Sequence, residues 1–201
     1  ALEAVQLNVN HRNGDLKLYE FGNCYFFNES ADASKNPLDR YSEGYRLALT
    51  VTGAAVTPSW NVRPEQSSFF TLRSYAERIL KRLGIDIYSL RSTEIQNDIF
   101  ADALSIEING KPLLQMGAVT SKIRSMFDLK QEVYYLELDF DRLVKATKKH
   151  TVAAEELSKF PEVKRDLSLL VPEDVTFARL REIAFATEKR LLKSVSLFDV
   201  Y

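Results

Sequence analysis

Asn109-Gly110 is the dipeptide that most limits what this chain can become. A two-residue hairpin turn of the favoured type needs positive φ at both central residues, which Asn and Gly tolerate best. Leu104–Val119 is therefore read as a β-hairpin with this dipeptide at its tip. Such a hairpin is antiparallel by construction. Pro112 on the return arm lacks a backbone donor, which predicts an edge position or a strand start.

The rest of the first 150 residues is read around that hairpin. Leu2, Val5 and Val9 have helical spacing, and Asn13-Gly14 ends the segment. Leu16–Phe27 reads as a long aromatic strand that Gly22 should bend or bulge. Asn28–Ser42 is polar, contains Pro37 and reads as a mobile loop. Tyr45–Gly53 alternates, with Tyr45, Leu47, Leu49 and Val51 on one face, and is read as a strand with one buried face. Ala54–Ser68, with Pro58, Trp60 and Pro64, is a second loop. Phe69–Leu83 is the strongest helix, striped by Phe69, Leu72, Ala76, Ile79, Leu80 and Leu83 and stopped by Gly84. Ile85–Leu90 reads as a short strand, Ser121–Phe127 as a short helix and Val133–Phe140 as a strand. Asp139 or Asp141 should then cap a helix running through Lys145.

No βαβ repeat appears. The fold class is α+β, with helices packed on a largely antiparallel sheet over residues 1–150. A linker near Lys148–Glu156 leads to a second domain, residues 151–201, read as strand Asp166–Val171, a helix capped by Thr176, and strand Ser194–Tyr201. The helix stripe is Phe177, Leu180, Ile183, Ala184 and Leu191. A unit of about 50 residues cannot readily bury its own core, so more strands and a helix are expected beyond it. Both ends of the sequence read as cut from a longer chain, and the last strand as an exposed edge.

Searching for chemistry returns little. His11 and His150 lie far apart near element ends, and solvated histidines are the plainer reading. Cys24, the one cysteine, excludes a disulfide within the chain and reads as a small buried hydrophobe. That cysteine usage fits a reducing, cytosolic compartment. No GxxxxGK[ST], GxGxxG or GxSxG motif occurs. Glu137, Asp139 and Asp141 recur at period two and could hold a hard cation, but an exposed strand face plus a helix cap is preferred. The Tyr134-Tyr135 and Phe69-Phe70 pairs could stack on bases, yet one ring of each must face the interior, so core packing is preferred. A net charge of −1 points to neither nucleic acid nor membrane, and no apolar run reaches the span a bilayer requires. Residues 151–201 hold eight basic and nine acidic residues. Composition alone therefore makes no electrostatic case for RNA.

Residues Ser158–Val171, SKFPEVKRDLSLLV, resemble the stretch "(S)(K/R)FP-x-x-RRD-(L/I)-(A/S)" of the bacterial phenylalanyl-tRNA synthetase β subunit family. Lys164 stands at the first of its two basic positions, followed by Arg165-Asp166. Leu191–Tyr201, LLKSVSLFDVY, resembles the family's "V-x-LFDVY" strand. Upstream, DLKLYEFGNCYF resembles "LFE-x-G-x-x-F", and SFFTLRSYAERILKRLGI resembles the family helix that ends in Leu-Gly. INGKPLLQMGAV and FDLKQEVYYLELDFDRL resemble its glycine-bearing hairpin and the strand after it. Thr120-Ser121 replaces the usual His-Pro, and Ser74 replaces a common Gly.

The resemblance implies a cytoplasmic (αβ)₂ enzyme that attaches phenylalanine to tRNA(Phe) using ATP and magnesium. Catalysis would reside in the α subunit. Residues 1–150 would be the later part of a non-catalytic class II synthetase-like module. Residues 151–201 would open a ferredoxin-like anticodon-binding domain. This stretch of chain would then hold no catalytic residue, metal or cofactor of its own. Its partners would be the α subunit and tRNA(Phe), with no membrane. By position, Lys164, Arg165, Lys189, Arg190 and Lys193 are the candidate tRNA contacts, acting as phosphate-positioning cations. Asp166 is expected to pair with Arg165. The alternatives are a stand-alone protein-interaction or regulatory domain without an RNA role, and a small hydrolase built on Glu137, Asp139 and Asp141.

Overall fold

The computed structural model describes residues 1–30, 36–57, 59–148, 151 and 159–201. The elements are α1 (Leu2–Asn10), β1 (Leu16–Phe27), β2 (Tyr41–Thr52), α2 (Phe69–Arg82), β3 (Arg91–Ile95), β4 (Phe100–Ile108), β5 (Lys111–Val119), α3 (Ser121–Met126), β6 (Val133–Asp139), α4 (Phe140–Thr147) and α5 (Phe177–Thr187). The chain divides into two compact units, Ala1–Val152 and Ala153–Tyr201.

In the first unit, six antiparallel strands form one sheet in the order β1-β2-β6-β5-β4-β3. Asn109 and Gly110 take φ of 52° and 72° between β4 and β5, as a type I′ turn requires. The β5 strand is internal, so Pro112 marks a strand start and not an edge. It pairs only with Glu107, before the β6 register begins at Leu114. The register shifts between Ile106 and Glu107, leaving Leu113 opposite no residue of β4. Both Leu113 and Leu114 are consequently buried.

Side chains on one sheet face align across strands. Leu47, Leu138, Leu114 and Ile106 form one row, and Leu49, Leu136 and Met116 the next. The α2 stripe of Leu72, Ala76 and Leu80, together with Leu143 of α4, belongs to the same buried cluster. Ser68 and Thr71 make a reciprocal capping box at the start of α2, and the Ile85 and Gly84 amides close its end on Leu80 and Lys81. Each fully buried leucine contributes about 1.5–3 kcal/mol of transfer free energy.

The opposite face is also covered at one end. Val5 of α1, Leu16, Val119, Leu129 and Val133 form a second cluster there. This corrects the one-faced reading of β2: Thr50 and Thr52 are buried opposite Leu49 and Val51. The hydroxyl of Thr52 donates to the Glu132 carbonyl (2.6 Å) and accepts from Gln131 Nε2 (2.8 Å). Burial is tolerated because those bonds replace water.

Other expectations change. Gly22 makes no bulge, since β1 and β2 pair continuously from Leu16↔Thr52 to Phe27↔Tyr41. Ile85–Leu90 is not a strand. Residues Ile87–Ser89 form a 3₁₀ turn because the Asp86 carboxylate accepts from the Tyr88 amide at 3.0 Å. Cys24 is half-buried on an edge strand, not in the core. Tyr134 and Tyr135 pack against the two different clusters, and Phe69 packs inward while Phe70 stays exposed. His11 caps the end of α1 and is exposed, whereas His150 and most of the expected linker lie outside the described residues.

In the second unit, Thr176 caps α5 by accepting from the Arg179 amide at 3.3 Å. The segments Asp166–Val171 and Ser194–Tyr201, expected as strands, have no regular secondary structure and pair with no strand among the described residues. Leu191 lies past the end of α5 and outside its stripe. Strand structure needs a hydrogen-bonded neighbour, which a strand–helix–strand segment does not supply when its two strands are not adjacent.

Gly117 is where the β4–β5 pairing tolerates no side chain. A Cβ there would collide with the Asp102 carbonyl oxygen and meet Phe100 Cδ1 at 2.9 Å. Gly117→Ala should therefore lower stability by about 1–3 kcal/mol, read as a reduced denaturation midpoint. An unchanged midpoint would show that the backbone at Asp102 yields freely.

Candidate nucleic-acid interface

The second unit places its cations by local chemistry. Glu188 follows α5, and its carboxylate accepts from the Leu191 amide (2.9 Å) and the Arg190 amide (2.8 Å). Those two backbone bonds hold its carboxyl below the ordinary glutamate value. The carboxylate is thus turned onto the backbone. The side chains of Lys189, Arg190 and Lys193 have no ion-pair partner among the described residues. Within α5, Glu182 is bonded to Arg179 at 2.7 Å, and the Arg181 guanidinium lies 4.6 Å from the Phe185 ring centroid. Residues 188–193 hold three cations and one carboxylate, so this short segment is locally positive although the unit as a whole is not.

Lys164 and Arg165 are exposed at the start of the extended segment. No ion pair joins Arg165 to Asp166, contrary to expectation. The structure brings Lys189 and Arg190 together on one turn. No hydrogen bond or ion pair connects them to Lys164 or Arg165. Beside these cations, Phe160, Leu167, Leu170, Phe198 and Tyr201 are all exposed.

In the first unit, the carboxylate trio is structural. Asp139 caps α4 by accepting from the Arg142 amide (2.9 Å), and it pairs with Arg46 Nη1 (2.6 Å) and Arg142 Nη2 (3.2 Å). Burial alone would raise the Asp139 carboxyl. The Arg142 amide and the Arg46 and Arg142 guanidiniums outweigh burial and hold it below its ordinary value. Glu137 lies 3.6 Å from Arg46 Nε, and Asp141 instead accepts the Tyr45 amide at 2.8 Å. Glu137 and Asp139 thus share Arg46 while Asp141 holds a backbone amide, and among the described residues no group of three or more metal-ligating side chains could hold an ion. Sequence reading missed Arg46, because its pairing depends on β2 lying beside β6.

A cleft of about 480 Å³ lies between the start of α2 and Arg124, lined also by Asp102, Glu132 and Tyr134. The Arg124 guanidinium donates to the Val119 and Gln131 carbonyls (3.2 and 2.8 Å) and to Glu132 Oε1 (2.7 Å). Both half-buried arginines on which a phosphate could settle, Arg46 and Arg124, are thus already paired.

Comparison with known proteins gives consistent results. The family described as "Phenylalanyl tRNA synthetase beta chain CLM domain" matches residues 1–140, and "Ferredoxin-fold anticodon binding domain" matches residues 158–201. The phenylalanine–tRNA ligase β subunit of Bacteroides thetaiotaomicron is 47% identical over 201 residues, covering 100% of this chain and 24% of that protein. The one from Porphyromonas gingivalis is 36% identical over 203 residues, again covering 100% of this chain and 24% of that protein. The chain thus spans about a quarter of the length of these relatives. In fold it is similar to a pyrrolysyl-tRNA synthetase from Desulfitobacterium hafniense, with TM-score 0.51 and 14% identity over 73% of this chain and 47% of that one. That likeness shows a shared α+β fold.

The Asp139 network predicts an acid-sensitive sheet. A carboxyl depressed by folding adds stability that is present above its ordinary value of 3.8 and is lost as pH falls through the depressed one. Asp139→Asn should cost about 1–2 kcal/mol at neutral pH. It should also flatten the decline of the unfolding free energy below about pH 4. Parallel pH profiles for the two proteins would remove Asp139 from this role.

Proposed function

Because the chain belongs to the phenylalanyl-tRNA synthetase β-chain family, we propose that it serves as a non-catalytic part of a phenylalanine–tRNA ligase, supporting (αβ)₂ assembly and binding tRNA(Phe). The holoenzyme attaches phenylalanine to that tRNA at the expense of ATP. ATP and magnesium are handled by the α subunit, which agrees with the engagement of Arg46 and Arg124 in protein contacts here. Residues 1–150 form the synthetase-like module that packs against partner subunits. The setting is the cytoplasm. Among the described residues no helix is long and apolar enough to cross a membrane.

Residues 151–201 are the first half of a ferredoxin-like anticodon-binding domain in this reading. The exposed Leu167, Leu169, Leu197 and Val200 support it, since a domain of that fold would cover them with further strands and a helix. In a polypeptide extended through the whole domain, amides of residues 166–171 should gain protection from hydrogen exchange that the 201-residue chain lacks. Equal exchange in both would sink the half-domain reading.

The observation that carries the RNA role is the cluster of exposed Lys189, Arg190 and Lys193 after α5, with one carboxylate, Glu188, among them and no ion pair to these cations among the described residues. Lys164, Arg165, Lys189, Arg190 and Lys193 then act as phosphate-positioning cations, fixing orientation and not reading bases. In the full α–β complex, Lys164→Glu/Arg165→Glu and Lys189→Glu/Arg190→Glu/Lys193→Glu should each weaken tRNA(Phe) binding. Each should also reduce the slope of log K against log salt by about 0.7–0.9 per lost contact. Wild-type affinity and slope in both variants would remove these five residues from the interface.

A further inference from the structure

Strand β1 closes one side of the sheet, and no strand pairs with its outer edge among the described residues. Two bonds fix which way its main chain points. The Asn28 amide donates to the Arg40 carbonyl at 2.8 Å, one pair beyond Phe27↔Tyr41. The Tyr45 amide, opposite Asn23, turns away from β1 to Asp141 at 2.8 Å. Antiparallel ladders alternate, so the even-numbered residues of β1 bond to β2. The amides and carbonyls of Lys17, Tyr19, Phe21, Asn23, Tyr25 and Phe27 therefore point out of the sheet. Natural sheets blunt such an edge with a proline, a bulge, a short strand or a guarding charge. Here the strand runs 12 residues with no proline and no bulge. Lys17, its one cation, donates to the Ala55 carbonyl instead.

The same six residues share one face of the sheet, and that face is aromatic. Tyr19, Phe21, Tyr25 and Phe27 are 73%, 43%, 75% and 58% exposed. On the scale of a whole aromatic side chain, they present roughly 500 Å² of open ring surface. Phe21 is held by Tyr45 and Phe140, with ring centroids 6.0 and 5.1 Å away, so the patch is preformed. Midway along the strand stands Gly22. It makes no bulge, and a Cβ there would meet nothing within 4 Å. Within this chain nothing requires a glycine at that position. A glycine inside a strand that makes no bulge marks a place where another backbone comes close.

We propose that β1 is an interface between two copies of this chain, paired antiparallel about a twofold axis at Gly22. In that register Gly22 faces its own counterpart, Tyr19 faces Tyr25, Leu18 faces Phe26 and Glu20 faces Cys24 of the other copy. No like charges are opposed. Six outward residues on each strand allow about twelve main-chain bonds, within the usual range of a specific interface. The open ring surface is more than half of the roughly 800 Å² that each partner buries in an interface of standard size. A twofold contact requires a patch that complements itself, and this strand does so over its length, which favours a second copy over an unrelated strand. The inference rests on the assembly half of the function proposed above, since an (αβ)₂ enzyme holds two copies of this chain. It is independent of the RNA role.

The test is a disulfide that this register permits. Residue 20 of one copy and Cys24 of the other form a non-hydrogen-bonded pair with Cα atoms about 4.5 Å apart, within disulfide reach. Along a single strand the same two positions are about 13 Å apart and cannot be bridged. The full α–β complex carrying Glu20→Cys, oxidised with diamide, should show a β–β band on a non-reducing gel and the 20–24 cross-linked peptide by mass spectrometry. Adding Cys24→Ser should remove both. Adding Asn23→Pro, which deletes one outward amide and leaves the β2 ladder intact, should lower the band about tenfold. If its denaturation midpoint falls, Tyr19→Lys/Tyr25→Lys replaces it, setting lysine opposite lysine at exposed positions. No band from a complex that sediments as (αβ)₂ would overturn this surface and leave the assembly reading standing. Sedimentation of the unmutated complex as αβ would overturn both. A cross-link from residue 20 to the α subunit would overturn the proposal in favour of a strand from that partner, and a band unchanged by both edge variants would also overturn it.

Discussion

Strand β6 is the constraint on which the first unit depends. The β1–β2 pair and the β3–β4–β5 meander share no hydrogen-bonded edge of their own. They meet only because β6 enters between β2 and β5. Its register is held by Leu136 and Leu138, which sit in two apolar rows under α2 and are fully buried. A slip of one residue would turn both outward and bring Glu137 into the core, so alternative registers carry a large penalty. Where the strand ends, Asp139 lies opposite Arg46 and also opens α4. A single carboxylate thus closes the sheet register, starts the next helix and neutralises a half-buried arginine.

The same economy ties two arginines of this unit into the fold. Arg46 and Arg124 occupy positions from which a guanidinium could meet a ligand. Each is tied into the fold, one by Asp139 and the other by carbonyls and Glu132. Releasing either would leave a buried charge or unpaired carbonyls, which is costly in a low-dielectric setting. The architecture is shared with a synthetase of low sequence identity.

Charge placement matters more here than charge number. Residues 151–201 are almost neutral by count, yet Lys189, Arg190 and Lys193 fall within six residues that hold one carboxylate, Glu188. An electrostatic surface follows from where the charges cluster, and total composition does not contain that information.

Short-range signals were legible in the residues alone. The Asn109-Gly110 turn, the α2 stripe with its stop, and the caps at Asp139 and Thr176 depend on neighbours within a few positions. The family likeness was equally readable, since it lies in contiguous motifs. Readings that needed a distant partner fared worse. Gly22 did not bulge because β2 matches β1 residue for residue, and Cys24 stayed half-exposed because β1 turned out to be an edge. The strands expected at Asp166–Val171 and Ser194–Tyr201 require pairing partners that local pattern cannot supply. Sequence determined which segments could be helix, turn or strand and which residues could carry charge, because those properties are set by near neighbours. Only the tertiary structure decided the order of strands, the pairing of Arg46 with Asp139 and which cations remain free, because each depends on contacts between residues far apart in the chain.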